Sequence, residues 1–237
     1  MNSFDYSILS FLNTFVRRAP LCDGLTVMIA HGYLLKGGIV MMFFWWAWFM
    51  EKRDEYLPEI RARLIAVAIG SMCSLALARV LALVLPFRPR PLQDIELTSF
   101  DWPFYVNSKN LENWSAFPSD HAALFFALAF GLFFVSRVMG AIASMYVFIV
   151  ILLPRIYISY HYPTDIVAGL LIAVTLISLL QVPRVRNILS RPFLKWLDRH
   201  PASFYACAFL FSFLVCTLFD DIRGMGSFIL RRVHLIF

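Results

Sequence analysis

Two histidines with nearby aspartates are the residues of this sequence best suited to chemistry near neutral pH. His121 follows Asp120, and His161 lies four positions before Asp165. Because each imidazole titrates near neutral pH, a pair can divide the roles of nucleophile and general acid. An aspartate beside a histidine can hold the ring and favour one tautomer. The proline at position 163 favours a turn followed by a helix start between His161 and Asp165.

Arginines and a predicted helix start accompany the histidines. Arg88 and Arg90 are separated by a single proline, and Arg155 lies six positions before His161. Guanidinium groups present planar, paired donors that suit phosphate oxygens. Ser119 lies where a helix cap is expected, and a helix N-terminus attracts anions. The set is typical of phosphoryl transfer, and without a carboxylate cluster we expect no metal and no cofactor.

The composition identifies the class of protein that must position these residues. Of 237 residues, 60% are hydrophobic and 15% are charged, and the mean hydropathy is +0.72. A soluble domain would carry about 25% charged residues. The apolar residues come in blocks long enough to cross a bilayer, which takes roughly 20 residues as a helix. We therefore expect an all-α, polytopic membrane protein with a single domain over residues 1–237.

Six spans are predicted, and they form a six-transmembrane-helix bundle. Their expected limits are Leu25–Met50, Leu64–Leu85, Ala122–Val135, Met139–Ile158, Ile166–Leu180 and Ser203–Phe219. Before them, five apolar residues recur at helical spacing and predict a helix lying in the membrane interface; they are Phe4, Ile8, Phe11, Leu12 and Phe15. An acid at Asp5 and the absence of a basic start argue against a cleavable signal peptide.

The basic residues predict the orientation of the bundle. Ten of them lie in the segment Glu51–Arg63, in the turn at Arg137 and in the segment after the fifth span. The positive-inside bias makes that side cytoplasmic, and it explains the net charge of +6 without nucleic acid. By counting spans, the clusters that hold the histidines and arginines all fall on the opposite, outer side. We expect one site there, at the outer face of the membrane.

The order of these motifs resembles the type 2 phosphatidic acid phosphatase superfamily. The pattern of that superfamily is Lys-x6-Arg-Pro, then Pro-Ser-Gly-His, then Ser-Arg-x5-His-x3-Asp. In this sequence the three parts read Leu83-x6-Arg90-Pro91, Pro118-Ser119-Asp120-His121 and Pro154-Arg155-x5-His161-x3-Asp165. The motifs occupy residues 83–165, and the six-helix frame is similar to that of the membrane members.

The resemblance implies roles for individual residues. His161 would attack phosphorus and form a phosphohistidine, Asp165 would orient it, and His121 would protonate the leaving oxygen. Arg90, Arg155 and Ser119, with Arg88 close by, would bind the phosphate. The implied activity is metal-independent hydrolysis of a lipid phosphate or diphosphate, and the implied partners are that lipid and the bilayer.

Three residues depart from the superfamily pattern. Leu83 replaces the lysine, and we hypothesise that Arg79, Arg88 or Lys36 supplies the lost charge. Asp120 replaces the glycine, which resembles bacterial undecaprenyl-diphosphate phosphatases but places a negative charge beside the phosphate. Proline replaces the serine before the arginine of the third motif.

Several functions remain open from the sequence. A polyprenyl diphosphate is the first expected substrate, followed by phosphatidic acid and phosphatidylglycerol phosphate. A phosphotransferase would pass the phosphate to a lipid acceptor instead of water. A transporter or an inactive binding relative is the alternative from another class, but the polar residues gather at one mouth and no inverted repeat is visible. The sequence leaves the oligomeric state open.

Overall fold

The computed structural model describes residues 1–50, 57–104, 106 and 114–220, and the described residues form helices without a strand. We number the helices in chain order: α1 (Ser3–Asn13), α2 (Pro20–His31), α3 (Leu34–Trp48), α4 (Leu57–Val84), α5 (Ala122–Phe134), α6 (Arg137–Tyr157), α7 (Pro163–Leu180), α8 (Pro183–Arg199) and α9 (Pro201–Cys216). Two short 3-10 turns, Pro91–Gln93 and Ile95–Leu97, lie between α4 and α5. The predicted all-α membrane class is confirmed.

The predicted number of six spans is not confirmed. Within the described residues, α4, α6 and α7 are long and apolar enough to cross a bilayer, and α2 with α3 makes a fourth if the bent pair counts as one span. Helices α5 and α9 are apolar but shorter. Both lie where spans were predicted, so the apolar segments were located correctly while their lengths differ from a full crossing.

The first predicted span is broken rather than continuous. Helix α2 ends at His31, and α3 starts at Leu34 at an angle of 63° to it. Gly32 between them has an extended backbone, with a ψ of 114°. Hydropathy does not register such a break, because both halves are apolar. The bend brings the carbonyl of Ala30 to Arg155 of α6, 2.8 Å away.

Two segments that we expected to be loops are partly helical. Helix α4 begins at Leu57, so Arg61 and Arg63 lie in its first turns, while Lys52 and Arg53 fall outside the described residues. The basic segment after the fifth span forms α8. Its apolar side packs on the core through Leu194, Trp196 and Leu197, and its polarity reflects the charged side of an amphipathic helix.

Helix α4 is the centre of the bundle. It contacts α3, α5, α7 and α8, and residues such as Leu64 and Val67 are completely buried. Arg63 near its start donates to the carbonyl of Phe134 at the end of α5, 2.7 Å away, so the two helices run in opposite directions. The end of α4, the start of α5, the end of α6 and the start of α7 consequently meet at one end of the bundle.

Helix α1 lies across that same end. Phe4, Phe11 and Phe15 are exposed, whereas Asp5 and Leu9 face the bundle and are buried. The helix contacts the end of α6 and the start of α7. The predicted helix is present, but it ends at Asn13, before Phe15, and its Ile8 and Leu12 pack against the bundle, so its location in the membrane interface stays a prediction.

Candidate active site

The two predicted catalytic histidines meet where the four helix ends converge. One donor atom each from His121, His161 and Asp120 lies within 4.8 Å of the others. His121 lies in the helical turn directly before α5, and His161 lies between α6 and α7. Residues 40 positions apart in the chain therefore share one site.

His161 is fixed in the tautomer that leaves Nε2 free of a proton. Its Nδ1 lies 2.9 Å from the carbonyl oxygen of Ala116, and only an N–H can pair with that acceptor. The Nε2 lone pair then points toward the NH1 of Arg90, 3.4 Å away. Burial lowers the pKa of His161 below its ordinary value, and Arg90 acts in the same direction while Asp165 opposes both. The ring is therefore neutral, with a nucleophilic nitrogen facing away from the protein backbone.

A helix-ending turn places His161. The carbonyl of Arg155 accepts from the amides of Tyr160 and His161, at 3.0 and 3.3 Å. Ser159 between them has a φ of 60°, the left-handed conformation that commonly ends a helix. The turn returns the chain over the end of α6. It holds Arg155 and His161 next to each other despite the five residues between them.

Asp165 lies behind His161 at the start of α7. It is completely buried, and its Oδ2 accepts from the amide of Tyr162 at 2.8 Å. The helix begins at Pro163, as predicted. The Nδ1 of His161 lies 3.6 Å from Oδ2, which is longer than a hydrogen bond, so Asp165 acts on the ring through its charge and Ala116 is the direct acceptor.

Ser119 and Gly169 bring α5 and α7 together beneath the site. Ser119 is buried, its amide donates to the carbonyl of Asp165 at 3.1 Å, and its Oγ accepts from the amide of Ala122 at 3.4 Å. That contact agrees with the predicted helix cap. A Cβ on Gly169 would lie only 2.6 Å from the carbonyl oxygen of Ser119, so the close approach of the two helices requires glycine.

His121 lies between the carboxylate of Asp120 and the guanidinium of Arg155. Its Nδ1 lies 2.8 Å from Oδ1 of Asp120, and its Nε2 accepts from NH2 of Arg155 at 2.8 Å. Burial raises the pKa of Asp120, but interactions with His121, which include a hydrogen bond, and with His161 and Arg79 outweigh it and hold that pKa well below its ordinary value. Asp120 is therefore a carboxylate that fixes Nδ1–H on His121.

A cavity of about 230 Å³ opens beside His161. Its polar wall contains Arg79, Arg90, Asp120 and His161. The apolar remainder consists chiefly of Ala78, Ala82, Leu83, Leu85, Phe87 and Trp114. Arg90 is buried and donates to the carbonyl of Tyr160 at 2.8 Å, which aims its guanidinium at the ring of His161.

The three candidates for replacing the missing lysine have different surroundings. Arg79 lines the cavity and lies 3.8 Å from Oδ2 of Asp120. Arg88 instead contacts Asp165 at 2.6 Å and Asp5 at 2.8 Å, and it does not line the cavity. Lys36 is buried 4.9 Å from the ring centre of Tyr33. Of the three side chains, Arg79 alone reaches the cavity wall.

The site also contains residues that the sequence did not reveal. Ala116 supplies a carbonyl, Gly169 supplies space, and Asp5 of α1 lies against Arg88 and Thr164. Asp5 is an acid inside an otherwise apolar helical pattern. That feature could have marked it as a residue with a buried partner.

Comparison with known proteins decides the family. The model of the PAP2 superfamily matches residues 66–187, just over half of the chain. The chain belongs to the PAP2 superfamily. The match includes all three motifs between residues 83 and 165, so the resemblance inferred from those motifs is confirmed. PAP2 membership, together with the apolar helices, supports a membrane protein with phosphatase activity on lipid-like substrates.

Two further comparisons were made, with solved structures and with curated protein sequences. The chain is similar to the crystal structure of LpxE from Aquifex aeolicus, with 22% sequence identity and a TM-score of 0.48. The similarity covers 73% of this PAP2 chain and 92% of that chain. No curated protein sequence matches.

Proposed function

We propose that this chain is a metal-independent lipid phosphatase that hydrolyses a lipid phosphate or diphosphate through a phosphohistidine at His161. The observation that carries the proposal is a set of buried arginine N–H groups without acceptors near the two histidines of the site. Within the described residues, the Nε atoms of Arg79, Arg90 and Arg155 are buried without a hydrogen-bond partner. Arg61 and Arg186, near the opposite end of the bundle, share that property, so the decisive point is that Arg79 and Arg90 line the same cavity as His161, while Arg155 contacts His121.

An anionic phosphate would satisfy these donors. Buried guanidinium N–H groups without an acceptor are costly, and charge-assisted bonds to phosphate oxygens are short and strong. The phosphate would sit in the cavity between Arg79 and Arg90, with its phosphorus facing the Nε2 of His161. Asp120 is offset by Arg79, which reduces its repulsion of the bound phosphate.

The first chemical step uses the free Nε2 of His161 as the nucleophile and requires His121 to become protonated when substrate binds. The Nε2 lone pair of His161 attacks phosphorus, the bond from phosphorus to the lipid oxygen breaks, and that oxygen takes a proton from the imidazolium of His121. Asp165 stabilises the positive charge that develops on His161. In the second step water attacks phosphorus, the phosphorus–nitrogen bond breaks, and His121 takes the proton of the water.

Arg155 would couple substrate binding to the protonation of His121. In the structure its NH2 donates to Nε2 of His121, which blocks a proton at that nitrogen. A phosphate oxygen competes for the same guanidinium, and its negative charge favours imidazolium. Substrate would therefore release Nε2 of His121 and make it an acid only when a leaving group is present.

The cavity mouth supports a lipid substrate. Leu83 and Val84 are 80% and 75% exposed, and Phe87 lies beside them. In a bilayer these side chains would border the acyl or prenyl chains while the phosphate enters the polar wall. A polyprenyl diphosphate is our first candidate, followed by phosphatidic acid and phosphatidylglycerol phosphate, at the outer face of a bacterial inner membrane. The site lies at the end of the bundle opposite to α8, because Arg186 of α8 pairs with Glu59 near the start of α4.

A phosphate-release assay on the purified protein tests the proposal. Wild type, His161→Ala and the control His200→Ala, at the boundary of α8 and α9, are compared on the three lipids with a chelator present. We expect turnover by wild type and His200→Ala, and a loss of about 10³-fold or more in His161→Ala. Substrate labelled at phosphorus should leave an acid-labile label on His161. Equal release by His161→Ala, or a strict requirement for added metal, would refute the mechanism.

A further inference from the structure

A buried carboxylate of α1 contacts the catalytic end of the bundle. Asp5 is completely buried, and its Oδ1 accepts from the amide of Thr164 at 2.9 Å while its Oδ2 accepts from the Thr164 hydroxyl at 2.7 Å. Thr164 lies in the first turn of α7, where backbone amides lack helical acceptors. Asp5 therefore caps α7 from a separate helix, one residue away from Asp165.

Arg88 links this carboxylate to Asp165. Its NH2 lies 2.8 Å from Asp5, and its NH1 lies 2.6 Å from Oδ1 of Asp165. Its guanidinium carbon also lies 4.0 Å from the ring centre of Tyr162. The planar fork of arginine can bridge two carboxylates in this way, whereas a lysine ammonium cannot hold the same geometry. The contact chain runs from Asp5 through Arg88 and Asp165 to His161.

We infer that Asp5 is a positioning residue for the phosphatase reaction and that it acts on Asp165 through Arg88. The inference rests on the proposed function of His161 as nucleophile. By sharing the guanidinium, Asp5 prevents Arg88 from neutralising Asp165 alone. Asp165 keeps the negative charge that stabilises His161 when its Nε2 bonds to phosphorus. Neither Asp5 nor Arg88 lines the cavity, so the effect belongs to turnover rather than to substrate binding.

Asp5→Asn is the informative substitution. The amide oxygen of asparagine can still accept from Thr164, so the helix cap is retained while the charge facing Arg88 is lost. We expect kcat to fall by about 10-fold to 100-fold, the range for one charge-assisted hydrogen bond, with KM changed much less. Asp101→Asn is the matched control. It removes an exposed ion pair to Arg17 that also joins the N-terminal segment to the chain between α4 and α5.

A double-mutant cycle tests whether Asp5 acts on Asp165 through Arg88. If Asp5 acts through Arg88, Asp5→Asn should change kcat by no more than about twofold when it is made in the Arg88→Gln background. Full addition of the two effects would overturn the route. An unchanged kcat in Asp5→Asn with only a lower melting temperature would show an anchor without influence on catalysis, and it would also overturn the inference. So would a rise in KM alone.

Two measurements keep the inference testable in every case. If Asp5→Asn cannot be purified folded, Arg88→Lys replaces it, and full kcat in that variant refutes the inference. Modification of His161 by diethyl pyrocarbonate, followed by mass spectrometry, reports the nucleophilicity of the ring without any lipid. We expect slower modification in Asp5→Asn than in Asp101→Asn. If wild type releases no phosphate, the proposed function fails, and an equal modification rate would separately refute the influence of Asp5 on His161.

Discussion

Replacing Arg79 by glutamine tests which cation takes the place of the family lysine at Leu83. Arg79 lies on the wall of the cavity, 3.8 Å from Asp120, and its Nε is buried without a partner. The variant keeps a polar side chain of similar reach but removes the charge. We expect weaker substrate binding, because a phosphate loses a cationic donor and meets an Asp120 carboxylate that is no longer offset.

The structure sets the size of that effect. A hydrogen bond to a charged group contributes about 1.5–3 kcal/mol when it is well shielded, and each 1.4 kcal/mol is about tenfold in binding. Arg79 and Asp120 are about a quarter exposed, with side-chain values of 27% and 25%. Solvent screening therefore favours the lower end. KM should rise about tenfold, with a smaller change in kcat.

Initial rates on vesicles that contain the lipid phosphate measure KM and kcat for each variant. Arg184→Gln on α8 is the matched control, because that arginine is exposed near the opposite end of the bundle. Leu83→Lys in the Arg79→Gln background restores the family lysine at the cavity mouth and should recover much of the lost affinity. Asp120→Asn in the same background should lower KM again, although kcat will fall because His121 loses its partner.

A KM within twofold of wild type in Arg79→Gln would refute this reasoning. The same holds if Lys36→Met raises KM more than Arg79→Gln does, since the buried Lys36 would then be the phosphate ligand. Failure of Leu83→Lys to rescue, with Arg79→Gln impaired, would show that Arg79 acts on Asp120 alone.

Three further predictions concern packing, protonation and metals. Gly169→Ala should destabilise the protein by about 1–3 kcal/mol, and thereby lower its melting temperature and kcat, because the added Cβ would meet the Ser119 carbonyl. Gly24→Ala should change neither quantity, because the space around Gly24 is open. Because burial lowers the pKa of His161, kcat/KM should be retained as the pH falls through 6.5 and be lost only below it; a loss at or above 6.5 contradicts a neutral nucleophile. Zn²⁺ should inhibit and a chelator should reverse it, since Asp120, His121 and His161 would hold the ion with the nitrogens that catalysis needs; activation by Zn²⁺ would contradict the mechanism.

Hydropathy and motif spacing predicted much of this molecule, because both record local properties of the chain. Apolar segments located the helices, and the loop spacing around Pro163 predicted the start of α7. Residue types and spacing also identified His121, Arg90 and Asp165, which the structure brings close to His161. The family assignment followed from the same motifs.

Other features depend on contacts that no local pattern records. Asp5 meets Arg88 across 83 positions, and Ala116 meets His161 across 45. The break at Gly32 and the amphipathic helix α8 were not predicted, for a different reason. Average hydropathy sums over a window and does not resolve one extended residue or the two sides of a helix.

The two main departures from the family pattern belong to one arrangement. In the sequence, a missing lysine at Leu83 and an added acid at Asp120 both weaken a phosphate site. In the structure, Arg79 lines the same cavity as Leu83 and also lies beside Asp120. A single cation therefore replaces the missing lysine charge and offsets the added carboxylate. Asp120 in turn fixes the tautomer of His121. We infer that the acid and the shifted cation depend on each other, and that reverting either one alone should impair the enzyme more than reverting both.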